Sequence, residues 1–282
     1  MILLRLSQSE IEAGRLSPTT LARAKTAIAD DGYVVLDRVA EPAYLQKIYE
    51  GMLEDIARWP AAHEGKPFVG GNLFPRRHPD FLFADILQNP FVADVLSAVI
   101  GAEPSCGMYS SNVTMPHLGD QQLHVDMAPI KAGDSLDYPC GSVVVNFPVI
   151  DFTLENGATE IWPATQKCAR HPGEFWVHDD LRDARQEVRP PERAVISRGS
   201  ALIRDIRLWH RGVLNQTDAV RPMVAMICNG QFRPGVDAIE KIAPLGSMPE
   251  ACRDLFENSP EIYWNPTYVS GEIDMLTIEK QR

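Results

Sequence analysis

The pair His124 and Asp126 sets an imidazole and a carboxylate two residues apart. On an extended strand such residues project to the same face, so they offer two of the three ligands of a facial triad. That ligand set holds iron(II) and leaves coordination positions open. Taken alone, a His-x-Asp pair arises by chance on many surface strands. The second half lies downstream, where the segment 201–210 carries an apolar strand, a turn and then His210. Eleven residues after His210, Arg221 opens the apolar run 221–227. An unpaired charge at the mouth of a buried strand is costly, so Arg221 needs an anion. Its planar fork suits a carboxylate. The distal carboxylate of 2-oxoglutarate and a protein Asp or Glu would both serve.

The elements that must position these groups change character along the chain. Ser17-Pro18 reads as a helix entry with a helix over 22–29, closed by Asp31-Gly32 and followed by a buried strand at 33–36. A second helix is expected over about 42–59, with Leu45, Ile48, Met52 and Ile56 on one face. Residues 60–77 read as loop, and a third helix runs from Pro90 to Gly101. From Ser105 onward short strands are expected at 106–114, 121–126, 142–149, 158–162, 194–196, 201–203 and 221–232. Helical propensity returns at 249–257. Helices first and strands afterwards suggest an α+β, mainly β fold, a jelly roll with flanking helices. No internal repeat divides the chain. A single domain is expected over 1–282, with a mainly helical flank (1–104), a jelly-roll core (105–235) and a C-terminal extension (236–282).

Composition narrows the partners. In 282 residues, 45% are hydrophobic and 23% charged, which suits a globular protein with a sizeable core. Lys and Arg number 27 against 38 Asp and Glu, a net charge of −11, which argues against a nucleic-acid backbone as partner. No apolar window is long enough to span a bilayer, and no signal peptide or peroxisomal tripeptide is recognised, so a cytoplasmic location is expected. The five cysteines lack any C-x-x-C pair and read as reduced thiols.

Four stretches together resemble the phytanoyl-CoA dioxygenase family, within the wider iron(II)/2-oxoglutarate oxygenases on a cupin-like double-stranded β-helix. They are 31–36 (DGYVVL), 124–126 (HVD), 155–167 (ENGATEIWPATQK), and His210 with Arg221. The third departs from the family's usual Pro-Gly-Ser-His ending, with Pro163-Ala164-Thr165-Gln166 in its place. The resemblance implies iron(II) on His124, Asp126 and His210, and 2-oxoglutarate with its C5 carboxylate on Arg221. Gln122 is implied to assist, with Gln121 as fallback, and Thr159 to donate a hydroxyl; Arg76 is a further candidate contact. The implied reaction consumes O2, yields succinate and CO2, and oxidises a substrate C–H bond, with hydroxylation favoured because the carboxylate ligand is kept.

No Lys/Arg cluster suits the phosphates of coenzyme A, so the expected substrate is a small, natural-product-like molecule. Specificity is expected at the rim, in the loop 60–77 with Asn72 and in the segment 127–140 with Met127 and Tyr138. Two rivals stand beside the oxygenase: a non-catalytic jelly-roll binding protein, and a metal-dependent hydrolase or isomerase on the same ligands. The sequence leaves monomer and homodimer open.

Overall fold

The computed structural model describes residues 1–76, 79–101, 104–126, 140–168 and 175–230. The chain begins with β1 (Leu3–Arg5), α1 (Gln8–Ala13), α2 (Pro18–Asp31) and β2 (Tyr33–Asp37). It continues through α3 (Pro42–Ala62), β3 (Gly71–Asn72), α4 (Ala84–Leu87) and α5 (Pro90–Ile100). The strand-rich part holds β4 (Ser105–Thr114), β5 (Ser142–Pro148), β6 (Glu160–Ile161), α6 (Asp179–Val188) and β7 (Glu192–Arg193). The last described elements are β8 (Ala201–Asp205), β9 (His210–Arg211) and β10 (Arg221–Asn229).

Local chemistry sets the helix boundaries. Ser17 caps α2 by accepting from the Thr20 amide, with Pro18 in the first turn. Gly32 ends the helix at φ 83°, and a Cβ there would lie 2.6 Å from Leu208. Glycine alone provides both the left-handed turn and that close approach.

Seven strands form one sheet in the order β1-β2-β8-β5-β10-β4-β3, antiparallel except for the β1–β2 pair. A three-stranded sheet, β7-β6-β9, accompanies it. The strand period of two sorts side chains between two cores. Val34, Val145, Phe147, Ile203, Val224 and Met226 pack with Ala24, Ile28, Leu45 and Val95 of the helices. Tyr33, Val35, Leu202 and Met223 share the other core with Ala158 and Ile161. The inward face of the large sheet, turned toward the small one, therefore also carries Asn146, Arg204 and Arg221 by parity.

Several elements differ from expectation. Residues 121–126 form no strand; His124 alone bridges to Trp176 and His210. The strand expected at 194–196 is β7, two residues earlier, and the 158–162 strand shortens to β6. Helix α3 runs through Pro60 to Ala62, so the loop starts later than expected. Helices α1, α4 and α6 are additions. Helix α6 has no fully buried residue and packs on the core through Leu181 alone, too short an apolar stripe by which to recognise it. The expected helix at 249–257 and the extension 236–282 lie outside the described residues. No described helix is long and apolar enough to cross a membrane.

Candidate metal centre

His124, Asp126 and His210 converge, with ligand atoms within 4.8 Å of one another. Asp126 lies between the imidazoles: His124 Nε2 is 3.8 Å from Oδ1 and His210 Nε2 is 3.4 Å from Oδ2. Each histidine is oriented by its own backbone. His124 Nδ1 meets the Gln122 carbonyl at 2.8 Å and His210 Nδ1 the Leu208 carbonyl at 3.0 Å. A carbonyl accepts only, so Nδ1 carries the proton and each Nε2 presents its lone pair. Burial and the Arg204 charge lower the His210 pKa to about 3, which keeps the imidazole neutral. These donors suit a divalent first-row metal such as iron(II).

Arg204 is the neighbour that completes the electrostatics. It lies on β8 with its side chain 2% exposed, and its Nη2 donates to Asp126 Oδ2 at 2.5 Å. Burial alone would raise the Asp126 pKa, but Arg204 and the two imidazoles outweigh it and hold the carboxyl below its ordinary range. Arg204 Nη1 also lies 3.5 Å from His210 Nδ1. The shorter Leu208 contact decides the tautomer there, because two donors cannot bond each other.

The approach to His210 is built from a tight turn and a hydroxyl. Asp205 accepts from the Arg207 backbone amide at 2.9 Å and from the Arg207 guanidinium, closing the turn between β8 and β9. Thr165 donates to the Trp162 carbonyl at 2.7 Å and accepts from the Trp209 amide at 3.0 Å. In the stretch that departs from the family pattern, Ala164 takes φ +60°, where glycine would be less strained. Gln166 donates to the Ala29 carbonyl at the end of α2, 3.0 Å away. The departure thus lands on the scaffold.

Arg221 opens β10 and is 2% exposed. Its Nη2 donates to Thr114 Oγ1 at 2.5 Å and its guanidinium carbon lies 4.6 Å from the Phe152 ring centre. Its Nε and Nη1 are buried without a hydrogen-bond partner among the described residues. Burial, with the Arg193 charge, pulls its pKa down to about 10. No described carboxylate forms an ion pair with it within 4.0 Å, so the alternative of a structural Asp or Glu partner finds no support among the described residues.

The other expected contacts fare differently. Thr159 is buried and precedes β6, after the Asn156-Gly157 turn. A Cβ at Gly157 would meet the Val213 carbonyl at 2.3 Å, and its φ is +79°, so that turn requires glycine. Gln121 and Gln122 are exposed; Gln121 accepts from the Gly212 amide at 2.7 Å, while Gln122 lends its backbone carbonyl to His124. Arg76, the further candidate contact, has its guanidinium engaged by Asp55, at 3.0 and 2.7 Å, and by Glu54 at 2.8 Å. Asn72 is exposed on β3. Met127 and Tyr138 lie outside the described residues.

Sequence reasoning missed three residues. Arg204 and Asn146 each interrupt an apolar run in phase with the inward face. Trp176, 48% exposed, meets the His124 ring in an edge-to-face arrangement at 5.8 Å between centroids.

Comparison with known proteins agrees with this geometry. Among solved structures, the chain is similar to SnoK, described as a non-heme alpha ketoglutarate dependent carbocyclase from nogalamycin biosynthesis. That match has a TM-score of 0.57 at 17% identity, over 79% of this chain and 88% of SnoK. AviO1 from Streptomyces viridochromogenes Tue57 matches with TM-score 0.55 at 18% identity, over 79% of this chain and 99% of its own. EvdMO1 matches with TM-score 0.58 at 16% identity over 75% of this chain, which spans only 50% of EvdMO1. At these identities the structures speak for the fold. The family model for phytanoyl-CoA dioxygenase matches residues 28–223, which include His124, Asp126, His210 and Arg221, and the chain therefore belongs to the phytanoyl-CoA dioxygenase family of iron- and 2-oxoglutarate-dependent dioxygenases.

Proposed function

We propose that the chain hydroxylates an unactivated C–H bond of a small, natural-product-like molecule, using iron(II), 2-oxoglutarate and O2. Succinate and CO2 are the co-products. The observation that carries this reading is Arg221: a buried guanidinium with two unpartnered nitrogens, on the same inward face as the Arg204 that grips Asp126. A dicarboxylate with one end on the metal and the other on Arg221 satisfies both.

In this reading His124, Asp126 and His210 hold the iron, Arg221 takes the C5 carboxylate, and Thr159 donates its hydroxyl to the same co-substrate. Iron and co-substrate supply the oxidant; the protein supplies orientation and dryness. Arg204 keeps Asp126 ionised and turned toward the metal. Leu123, Val125 and Trp209 alternate with the ligands along the chain and pack with Trp162 in a buried apolar cluster that backs the ligand segments. The partly exposed Asp126 and His124 leave one side open for the substrate.

The scaffold is read as a double-stranded β-helix within a single domain over 1–282. The expected partners are a small substrate rather than nucleic acid or membrane, in the cytoplasm. The products for which SnoK is described motivate the substrate class. The test is succinate release from 2-oxoglutarate, dependent on iron(II) and stimulated by candidate small molecules. A hydrolase or isomerase on the same ligands would show no dependence on 2-oxoglutarate, and a binding protein would release no succinate.

A further inference from the structure

We propose that Asn146 is a further co-substrate-binding residue. Its side-chain NH2 donates to the keto-acid end of bound 2-oxoglutarate, opposite the end held by Arg221. This rests on the oxygenase reading above and deepens it at the metal side of the pocket.

The argument starts from register. On β5, Asn146 stands between Leu202 of β8 and Ala225 of β10, and Val144 stands opposite Arg204. Cross-strand partners and residues two apart share a face, so Asn146 and Arg204 both point inward. Arg204 Nε donates to Asn146 Oδ1 at 3.4 Å, while Arg204 Nη2 donates to Asp126 Oδ2 at 2.5 Å. Guanidinium has no acceptor. The amide must therefore turn its oxygen to Arg204 and its NH2 away, which fixes the flip.

That NH2 is buried and has no partner among the described residues, in a residue 2% exposed. A buried donor left unmade is expensive, and native proteins rarely keep one without a use. The orphaned Arg221 nitrogens lie on the same face of the neighbouring strand. Arg221 is four residues along β10 from Ala225, the partner of Asn146, a strand separation of roughly 13 Å. The long arginine side chain and a five-carbon diacid together fill such a span, and the small Ala225 leaves room over its middle. Of the two orphan groups, Asn146 is the one tied through Arg204 to a metal ligand, so it serves the metal-proximal end.

The experiment is anaerobic calorimetry of iron(II)-loaded protein titrated with 2-oxoglutarate, for wild type, Asn146→Leu, Asn146→Asp and Arg221→Leu. Iron(II) affinity is read separately in each. Leucine keeps the volume and removes both polar atoms. Aspartate keeps an acceptor for Arg204, removes the donor and adds a negative charge. We expect Kd for 2-oxoglutarate to rise roughly ten-fold in Asn146→Leu, and further in Asn146→Asp because a carboxylate faces the bound acid. A residue that merely anchors Arg204 would be rescued by aspartate. Wild-type affinity in Asn146→Asp therefore overturns the proposal, even if Asn146→Leu fails to fold. Weak binding in Arg221→Leu together with unchanged Asn146 variants sinks this inference alone. Absence of 2-oxoglutarate binding in the wild type sinks the oxygenase reading with it.

Discussion

His124 and His210 exchange both backbone hydrogen bonds, each amide donating to the other's carbonyl at 3.0 Å. The two histidines are thus fixed to one another by main chain before any metal arrives. Removing an imidazole leaves that pairing in place. His124→Ala and His210→Ala should therefore fold, with unchanged circular dichroism, yet lose iron(II) affinity by more than roughly 100-fold, the loss already seen when only an outer partner of a ligand is removed. Iron titration of either variant with wild-type affinity would show that the ligands lie elsewhere.

Arg221 donates to Thr114 and stacks on Phe152 while two of its nitrogens stay unpartnered. Lysine at 221 keeps the charge and loses the fork. Arg221→Lys should raise the KM for 2-oxoglutarate roughly ten- to hundred-fold, the worth of one charge-assisted hydrogen bond, with iron affinity kept. An unaltered KM would remove Arg221 from the co-substrate site.

The convergence of His124, Asp126 and His210 and the burial of Arg221 were legible in the sequence because such side chains in an apolar setting need particular partners, and the 124/126 spacing puts both groups on one side. Arg204 was equally accessible to the argument made for Arg221, as a cation inside the apolar run 201–205. Its partner Asp126 is 78 residues away, so no local pattern pairs the two. The adjacent Asp205 serves Arg207. The segment 121–126 was read as a strand because its side chains alternate. Only His124 makes strand-like bridges there, yet the alternation still carries both ligands to one side. The helical flank was legible wherever proline and glycine bracket an apolar stripe, as in α2 and α5. Helix α6 turns one apolar side chain, Leu181, to the core, too little for periodicity to reveal it.

Asp55 is buried on α3 and meets Arg76, which also reaches Glu54 and the face of Phe81. The burial makes this a structural pair. Arg76→Ala strands a buried carboxylate and should cost about 3 kcal/mol of stability. The KM for 2-oxoglutarate should stay the same. A large KM change at wild-type stability, by chemical denaturation and steady-state kinetics, would return Arg76 to the co-substrate site.

Trp176 bridges to His124 through its backbone and leaves nearly half its surface exposed beside the candidate metal. An exposed indole at the open side of a metal site offers a flat apolar wall for a ring-bearing substrate. Trp176→Ala should lower succinate formation stimulated by substrate several-fold, roughly the worth of one aromatic contact. Iron and 2-oxoglutarate binding should be unaffected. Equal loss of co-substrate binding would make Trp176 a support for His124 instead.

Glu10 gives a prediction for pH. Its carboxylate closes the capping box of α1 with Ser7 and accepts from the Ser17 amide at 2.8 Å, tying α1 to the start of α2. Hydrogen bonds from Thr20, Ser7 and Ser17 outweigh burial and hold its pKa well below the ordinary carboxylate range. A carboxyl with a depressed folded pKa adds stability above its unfolded value, and that stability is lost as pH falls toward the folded value. Glu10→Gln should therefore destabilise the protein by about 1 kcal/mol at neutral pH, the usual worth of a capping interaction. The gap to wild type should narrow steadily once the pH drops below about 4.3, where an unfolded glutamate begins to protonate. Urea melts at several pH values measure both. A gap that stayed constant down to strongly acid pH would mean that Glu10 acts through shape, with no contribution from its charge.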